Sequence, residues 1–126
     1  MKIAIYGYGN LGRGVECAVK AASDMELFGI FTRRSPESVK TQYPDTKVYS
    51  ADSVYDFKDE IDCIILCGGS ATDLPVLTPM LAEHFNVVDS FDTHAKIPEH
   101  FDAVDAAAKS GGNLALISSG DRKSVV

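Results

Sequence analysis

Short apolar runs alternate with amphipathic stretches along most of the chain. Residues 2–6, 26–32, 62–67 and 113–118 are nearly continuous apolar runs of strand length, the pattern of strands covered on both faces. Residues 86–90 supply another strand, and residues 46–49 a weaker one after the polar stretch that follows Ser35. Between the strands the period changes. Residues 10–22 place Leu11, Val15, Ala18, Val19 and Ala22 at helical spacing, which predicts the buried face of a helix. Residues 52–58 suit a short helix with Val54 and Phe57 inward. From Leu74 toward His84, Leu74, Leu77 and Leu81 share one face; Pro75 fits a first turn, but Pro79 does not fit a helix interior, so a restart capped by Thr78 is predicted. Residues 98–109 form the next helix, with Ile97, Phe101, Val104 and Ala108 as its inner stripe and Gly111-Gly112 as its stop.

Regular alternation of strand and helix, joined by right-handed crossovers, requires a parallel sheet with helices on both faces. Six strands in two mononucleotide-binding halves give the order 3-2-1-4-5-6, an α/β three-layer, doubly wound sheet of Rossmann type. With 126 residues the chain reads as one domain over residues 1–120, followed by an atypical tail over 121–126. The net charge of -6 and the lack of a basic stripe argue against a nucleic-acid partner. No apolar run is long enough to span a bilayer, and the first strand begins at the second residue, leaving no signal peptide; a soluble cytoplasmic protein is the expectation. Cys17, Cys63 and Cys67 form no C-x-x-C pair, and neither a disulfide nor a metal site is predicted. His84, His94 and His100 lack ligand spacing and read as surface or helix-end residues.

Chemistry gathers where strands end. Gly7, Gly9 and Gly12 make G-x-G-x-x-G between the first strand and the first helix, the context in which this spacing binds a dinucleotide. Gly7 allows the tight turn, Gly9 admits a pyrophosphate to the backbone, and Gly12 permits close helix packing. The helix amino terminus then faces the phosphates. The second strand ends in Thr32-Arg33-Arg34-Ser35, about twenty residues past the glycines, where an NAD site carries a carboxylate for the ribose hydroxyls. Two guanidinium groups and two hydroxyls suit a 2′-phosphate instead, so NADP(H) is the expected coenzyme; the alternative is a solvated basic turn. Gly68-Gly69-Ser70-Ala71-Thr72 follows another strand and reads either as a wall beside the nicotinamide or as a capping turn. Asp92 and His94, past the fifth strand, are open between ligand contact and a solvated rim.

Four runs together resemble a known family. They are Gly7-Tyr8-Gly9-Asn10-Leu11-Gly12-Arg13, Gly29-Ile30-Phe31-Thr32-Arg33-Arg34, Leu66-Cys67-Gly68-Gly69-Ser70-Ala71-Thr72-Asp73, and Asp89-Ser90-Phe91-Asp92-Thr93-His94. They look like the N-terminal half of the meso-diaminopimelate dehydrogenases. The resemblance implies NADP-dependent, reversible deamination of the D-centre of meso-2,6-diaminopimelate to L-2-amino-6-oxopimelate, in the pathway to lysine and cell-wall precursors. It places Tyr8, Gly9, Asn10 and Leu11 on the pyrophosphate and Thr32, Arg33 and Arg34 on the 2′-phosphate. It places Cys67, Gly68, Gly69, Ser70, Ser90, Phe91 and Asp92 beside the nicotinamide, with Asp92 also facing the substrate amine. The likeness stops at Gly120: residues 121–126 match nothing in the pattern, and the family's substrate domain has no counterpart. NADP(H) binding without turnover is therefore expected of these 126 residues, and a homodimer of the full-length family. A free-standing NADP(H) sensor or another reductase of the same fold, such as one of lysine biosynthesis, remain the alternatives.

Overall fold

The computed structural model describes residues 1–67, 74–89 and 97–116. In chain order its strands and α-helices are β1 (Lys2–Tyr6), α1 (Asn10–Ala21), β2 (Glu26–Thr32), β3 (Val48–Ser50), β4 (Cys63–Leu66), α2 (Leu74–Ala82), β5 (Val87–Asp89), α3 (Ile97–Gly111) and β6 (Ala115–Leu116). Two 3-10 turns, Pro36–Ser38 and Ala51–Phe57, flank β3, the second where a short helix is expected. The chain divides into two compact units, Met1–Cys67 and Gly68–Val126.

The first unit orders its strands β3-β2-β1-β4, all parallel. Ile3, Ala4, Ile5, Ile30, Phe31, Ile64 and Leu66 are buried, as the apolar runs predict. The β1–β2 register shifts between Ile3 and Ala4: Ile3 faces Leu27 but Ala4 faces Gly29, so Phe28 is an extra residue. Regular alternation would send Phe28 and Phe31 to opposite faces; the extra residue reverses the parity. Both rings therefore join Tyr49 and Phe57 in one cluster, with centroids 5.0 to 6.3 Å apart. Gly29 makes room for it, since a Cβ there would stand 2.6 Å from Tyr49 Cε2.

Helix α1 is rotated from the expected face. Leu11 and Ala18 are exposed, whereas Gly12, Glu16 and Val19 are buried and Val15 is half-buried. The spacing of the buried set is still helical, but two of its members are not apolar, which is why hydrophobicity alone misplaced the stripe.

In the second unit β5 pairs with β6 in parallel, so each unit agrees with the predicted strand order. Helix α2 does not restart at Pro79; the proline lies inside it, and Thr78 is buried, donating its hydroxyl to Asp89 Oδ2 at 2.9 Å. A proline at residue 79 leaves only the carbonyl four residues back without its helical donor, and that carbonyl belongs to the first turn. The inner stripe of α3 is His100, Val104, Ala107 and Ala108, while Phe101 is exposed. His100 is thus a core residue, with Nε2 2.6 Å from Asp89 Oδ2. Gly111 belongs to the helix, and Gly112 takes the left-handed conformation at φ 70° that turns the chain toward β6.

A Cβ on Gly111 would lie 2.0 Å from the Glu83 carbonyl oxygen, whereas one on Gly14 meets nothing within 4 Å. Gly111→Ala is therefore expected to destabilise the fold by at least about 1–3 kcal/mol through overpacking against backbone. Gly14→Ala, in an exposed helix interior, is expected to stabilise it by about 0.5–1 kcal/mol. Urea denaturation midpoints of the two variants check both signs.

Candidate functional site

The site is built on the turn between β1 and α1. Gly7 has φ 96° and donates its N–H to Phe31 O at 2.9 Å, tying the turn to β2. Only a residue without a Cβ adopts that φ without strain. Gly12 stands against the same residue, where a Cβ would lie 2.6 Å from Gly7 O. Nothing lies within 4 Å of a Cβ position on Gly9, so its face of the backbone is open. Gly9 caps α1 without a side-chain hydrogen bond, and the first turn contains no acid. The amide groups at this helix start are thus neither capped by a side chain nor neutralised by a carboxylate, which suits an anion. Leu11, beside them, is exposed.

Tyr8, between two of the glycines, points inward and is buried. Its hydroxyl donates to Glu16 Oε1, and the Arg13 guanidinium lies 5.7 Å from its ring centroid. Glu16 is fully buried and also accepts Thr46 Oγ1–H at 2.7 Å and Gln42 N–H at 3.2 Å. Burial raises the Glu16 pKa, but hydrogen bonds from Tyr8, Thr46 and the backbone outweigh it, so the carboxyl sits below its ordinary value. Burial, and then the bond to this carboxylate, push the Tyr8 phenol up to about 12.

The end of β2 comes to the same turn. Thr32 is buried, and its Oγ1 accepts the Arg34 N–H at 3.1 Å. Arg34 extends back so that Nη2 donates to Tyr8 O at 2.8 Å. Arg33 is exposed beside it. Gly7, Tyr8, Gly9, Gly12 and Arg34 are therefore brought together, and the Thr32 hydroxyl holds the backbone of Arg34. At the end of β4, Cys67 N donates to Tyr6 O at 2.9 Å, and burial pushes its thiol up to about 12. A thiol of that acidity is neutral near pH 7 and is not an activated nucleophile. The backbone of Asn10 opens α1. Gly68, Gly69, Ser70, Ser90, Phe91, Asp92 and His94 lie outside the described residues. Among the described residues no group of three His, Cys, Asp or Glu side chains could hold a metal ion, and no helix is long and apolar enough to cross a membrane.

Sequence reasoning missed Glu16 and Arg13. A carboxylate four residues after Gly12, on the face that the glycine must turn inward, was the available signal.

Because the Glu16 pKa is depressed in the fold, its stabilising contribution is present above its unfolded value near 4.5 and is lost as pH falls through the lower folded value. The stability gap between wild type and Glu16→Gln is thus expected to be widest near neutral pH and to shrink below about pH 4.5, read from urea midpoints at several pH values. A gap independent of pH would contradict an ionised Glu16.

No family model matches the chain. The meso-diaminopimelate D-dehydrogenase of Ureibacillus thermosphaericus is 56% identical over 120 residues, 95% of this chain and 36% of that protein. The structure of an engineered D-amino acid dehydrogenase bound to NADP+ superposes with a TM-score of 0.87 at 41% identity, over 94% of this chain and 36% of that one. The Corynebacterium glutamicum diaminopimelate dehydrogenase in complex with diaminopimelate gives the same TM-score of 0.87 and 41% identity, with the same coverage of 94% and 36%. The Rossmann-type fold read from the alternating runs is the fold of these dehydrogenases. Through 95% of its own length the chain is similar to meso-diaminopimelate D-dehydrogenases, and it spans 36% of theirs.

Proposed function

We propose that this chain is the NADP(H)-binding part of a dehydrogenase that deaminates the D-centre of meso-2,6-diaminopimelate, reversibly, to L-2-amino-6-oxopimelate and ammonia. The observation that carries the reading is the hydrogen bond from Arg34 Nη2 to Tyr8 O, which brings a cation from the end of β2 onto the glycine turn. A 2′-phosphate on an adenine ribose suits that juxtaposition; residues 32–35 include no carboxylate, and the nearby Glu37 carboxylate accepts the Ser35 hydroxyl, which leaves the guanidinium groups as the phosphate's partners. The residues present fit the coenzyme in two further respects: Gly9 leaves the backbone open, and Gly12 holds the helix start against the turn.

In this reading the amides of Tyr8, Gly9, Asn10 and Leu11 hold the pyrophosphate, and Arg33 and Arg34, with Thr32 beneath them, hold the 2′-phosphate. Cys67, Gly68, Gly69, Ser70, Ser90 and Phe91 line the nicotinamide side. Asp92 orients the substrate ammonium so that its carbon–hydrogen bond faces the reacting ring. The coenzyme supplies a hydride acceptor there. The neutral thiol of Cys67 adds an uncharged wall rather than a nucleophile. The reading carries with it a cytoplasmic location, a homodimer for the whole protein and no nucleic-acid partner. It is supported by the similarity to the diaminopimelate dehydrogenases. Since the chain spans 36% of the length of those relatives, the 126 residues by themselves bind the coenzyme without turning over the amino acid.

Fluorescence titration tests the coenzyme claim. Wild type is expected to bind NADPH at least about tenfold more tightly than NADH, and Arg34→Ala to reduce that preference by about 10–100-fold, the loss of one or two charge-assisted hydrogen bonds. Equal affinities in wild type would remove the 2′-phosphate argument. For the second claim, the 126-residue chain is incubated with diaminopimelate and NADP+, and absorbance of the reduced coenzyme is followed. No formation above background is expected; rapid formation would contradict it.

A further inference from the structure

We propose that Glu16 is a positioning residue for coenzyme selectivity: through Tyr8 it sets where the Arg13 and Arg34 guanidinium groups stand, and so governs the preference for a 2′-phosphate. The inference rests on the NADP(H) reading and goes beyond it, because neither Glu16 nor Arg13 belongs to the glycine fingerprint or to the β2 end.

Three contacts meet on Tyr8. Its hydroxyl is held by Glu16, its ring lies beneath Arg13 at 5.7 Å, and its carbonyl accepts Arg34 Nη2 at 2.8 Å. Both exposed arginines are therefore referenced to a single buried residue. Tyr8 is in turn referenced to Glu16, which has no exposed surface. Glu16 is fixed from the other side by Thr46 Oγ1 and by the backbone N–H of Gln42. Gln42 closes the circuit by donating Nε2–H to the Arg13 carbonyl at 2.6 Å. The carboxylate thus ties together the glycine turn, α1 and the connection between β2 and β3.

A buried carboxylate is costly unless its hydrogen bonds are made, so side chains that satisfy it have little freedom. Tyr8 is held at its far end by that requirement, which steadies its ring beneath Arg13, and its backbone carbonyl, in the glycine turn, is the acceptor of Arg34. Arginine side chains on an open surface lose rotamer entropy when they converge on a phosphate; arginines already docked on a fixed neighbour lose less. The benefit falls on the ligand that carries the 2′-phosphate and not on the one that lacks it. A change at Glu16 should therefore alter the ratio of the two affinities, whereas simple loosening of the fold would weaken both alike.

The test measures NADPH and NADH dissociation constants for wild type, Tyr8→Phe and Glu16→Gln, with far-ultraviolet circular dichroism to check folding. Tyr8→Phe keeps the ring and the carbonyl and removes only the bond to Glu16. Both variants are expected to lower the NADPH:NADH preference by about fivefold or more, through a larger loss of NADPH than of NADH affinity. In an Arg13→Ala/Arg34→Ala background the further effect of Tyr8→Phe on the ratio is expected to vanish, since the groups it acts through are gone. If Glu16→Gln does not fold, Tyr8→Phe decides alone. An unchanged ratio in the folded variants, or an equal loss for both coenzymes, overturns the inference and leaves the NADP(H) reading standing. A wild type without preference for NADPH overturns that reading, and this inference with it.

Discussion

The start of α1 stands so close to the end of β1 that no side chain fits between them. Gly7 turns with a positive φ, and Gly12 meets its carbonyl at a distance that excludes a Cβ. This approach sets the start of the helix beside the open face of Gly9, and the next side chain, Tyr8, is buried. It also fixes the rotation of α1. With Gly12 turned toward the sheet, the residue one turn later must be buried too, and that residue is Glu16. The buried carboxylate and the open glycine turn are two consequences of one packing constraint.

The polar partners then follow from the energetics of burial. A fully buried carboxylate needs donors, and it takes them from Tyr8, Thr46 and Gln42, residues from both sides of α1 in sequence. Arg34 completes the arrangement from the end of β2. Arg13 and Arg34 are exposed, while Tyr8 and Glu16 beneath them are buried. In the proposed site such an arrangement separates affinity from positioning, one set of groups meeting the coenzyme and another holding that set still.

Strand positions were legible from the sequence because apolar runs of strand length have few other readings, and the glycine spacing was legible because its context is local. What was not legible depended on partners distant in sequence. The face of α1 was misjudged because Leu11 and Ala18 are apolar but exposed, and Glu16 is charged but buried. Its donors at residues 42 and 46 lie in a polar connection that has no periodic signature. Pro79 was read by local propensity as a break, yet packing carries α2 through it. The sequence reads His100 as a surface or helix-end residue; it does lie near the start of α3, but is held in the core by Asp89. The arginine pair was found by position, but that Arg34 folds back onto the Tyr8 carbonyl is a tertiary fact. Six of the candidate ligand-contacting residues, from Gly68 to Ser70 and from Ser90 to Asp92, lie outside the described residues.

On the NADP(H) reading, the glycine turn and the end of β2 form one pocket for a 2′-phosphorylated adenine nucleotide, independent of the nicotinamide half. Calorimetric titration with the fragments 2′,5′-ADP and 5′-AMP isolates that pocket. 2′,5′-ADP is expected to bind at least about tenfold more tightly than 5′-AMP and to be displaced by NADPH, the difference resting on charge-assisted bonds to one phosphate. Equal binding of the two fragments, or failure of NADPH to displace the phosphorylated one, would contradict it.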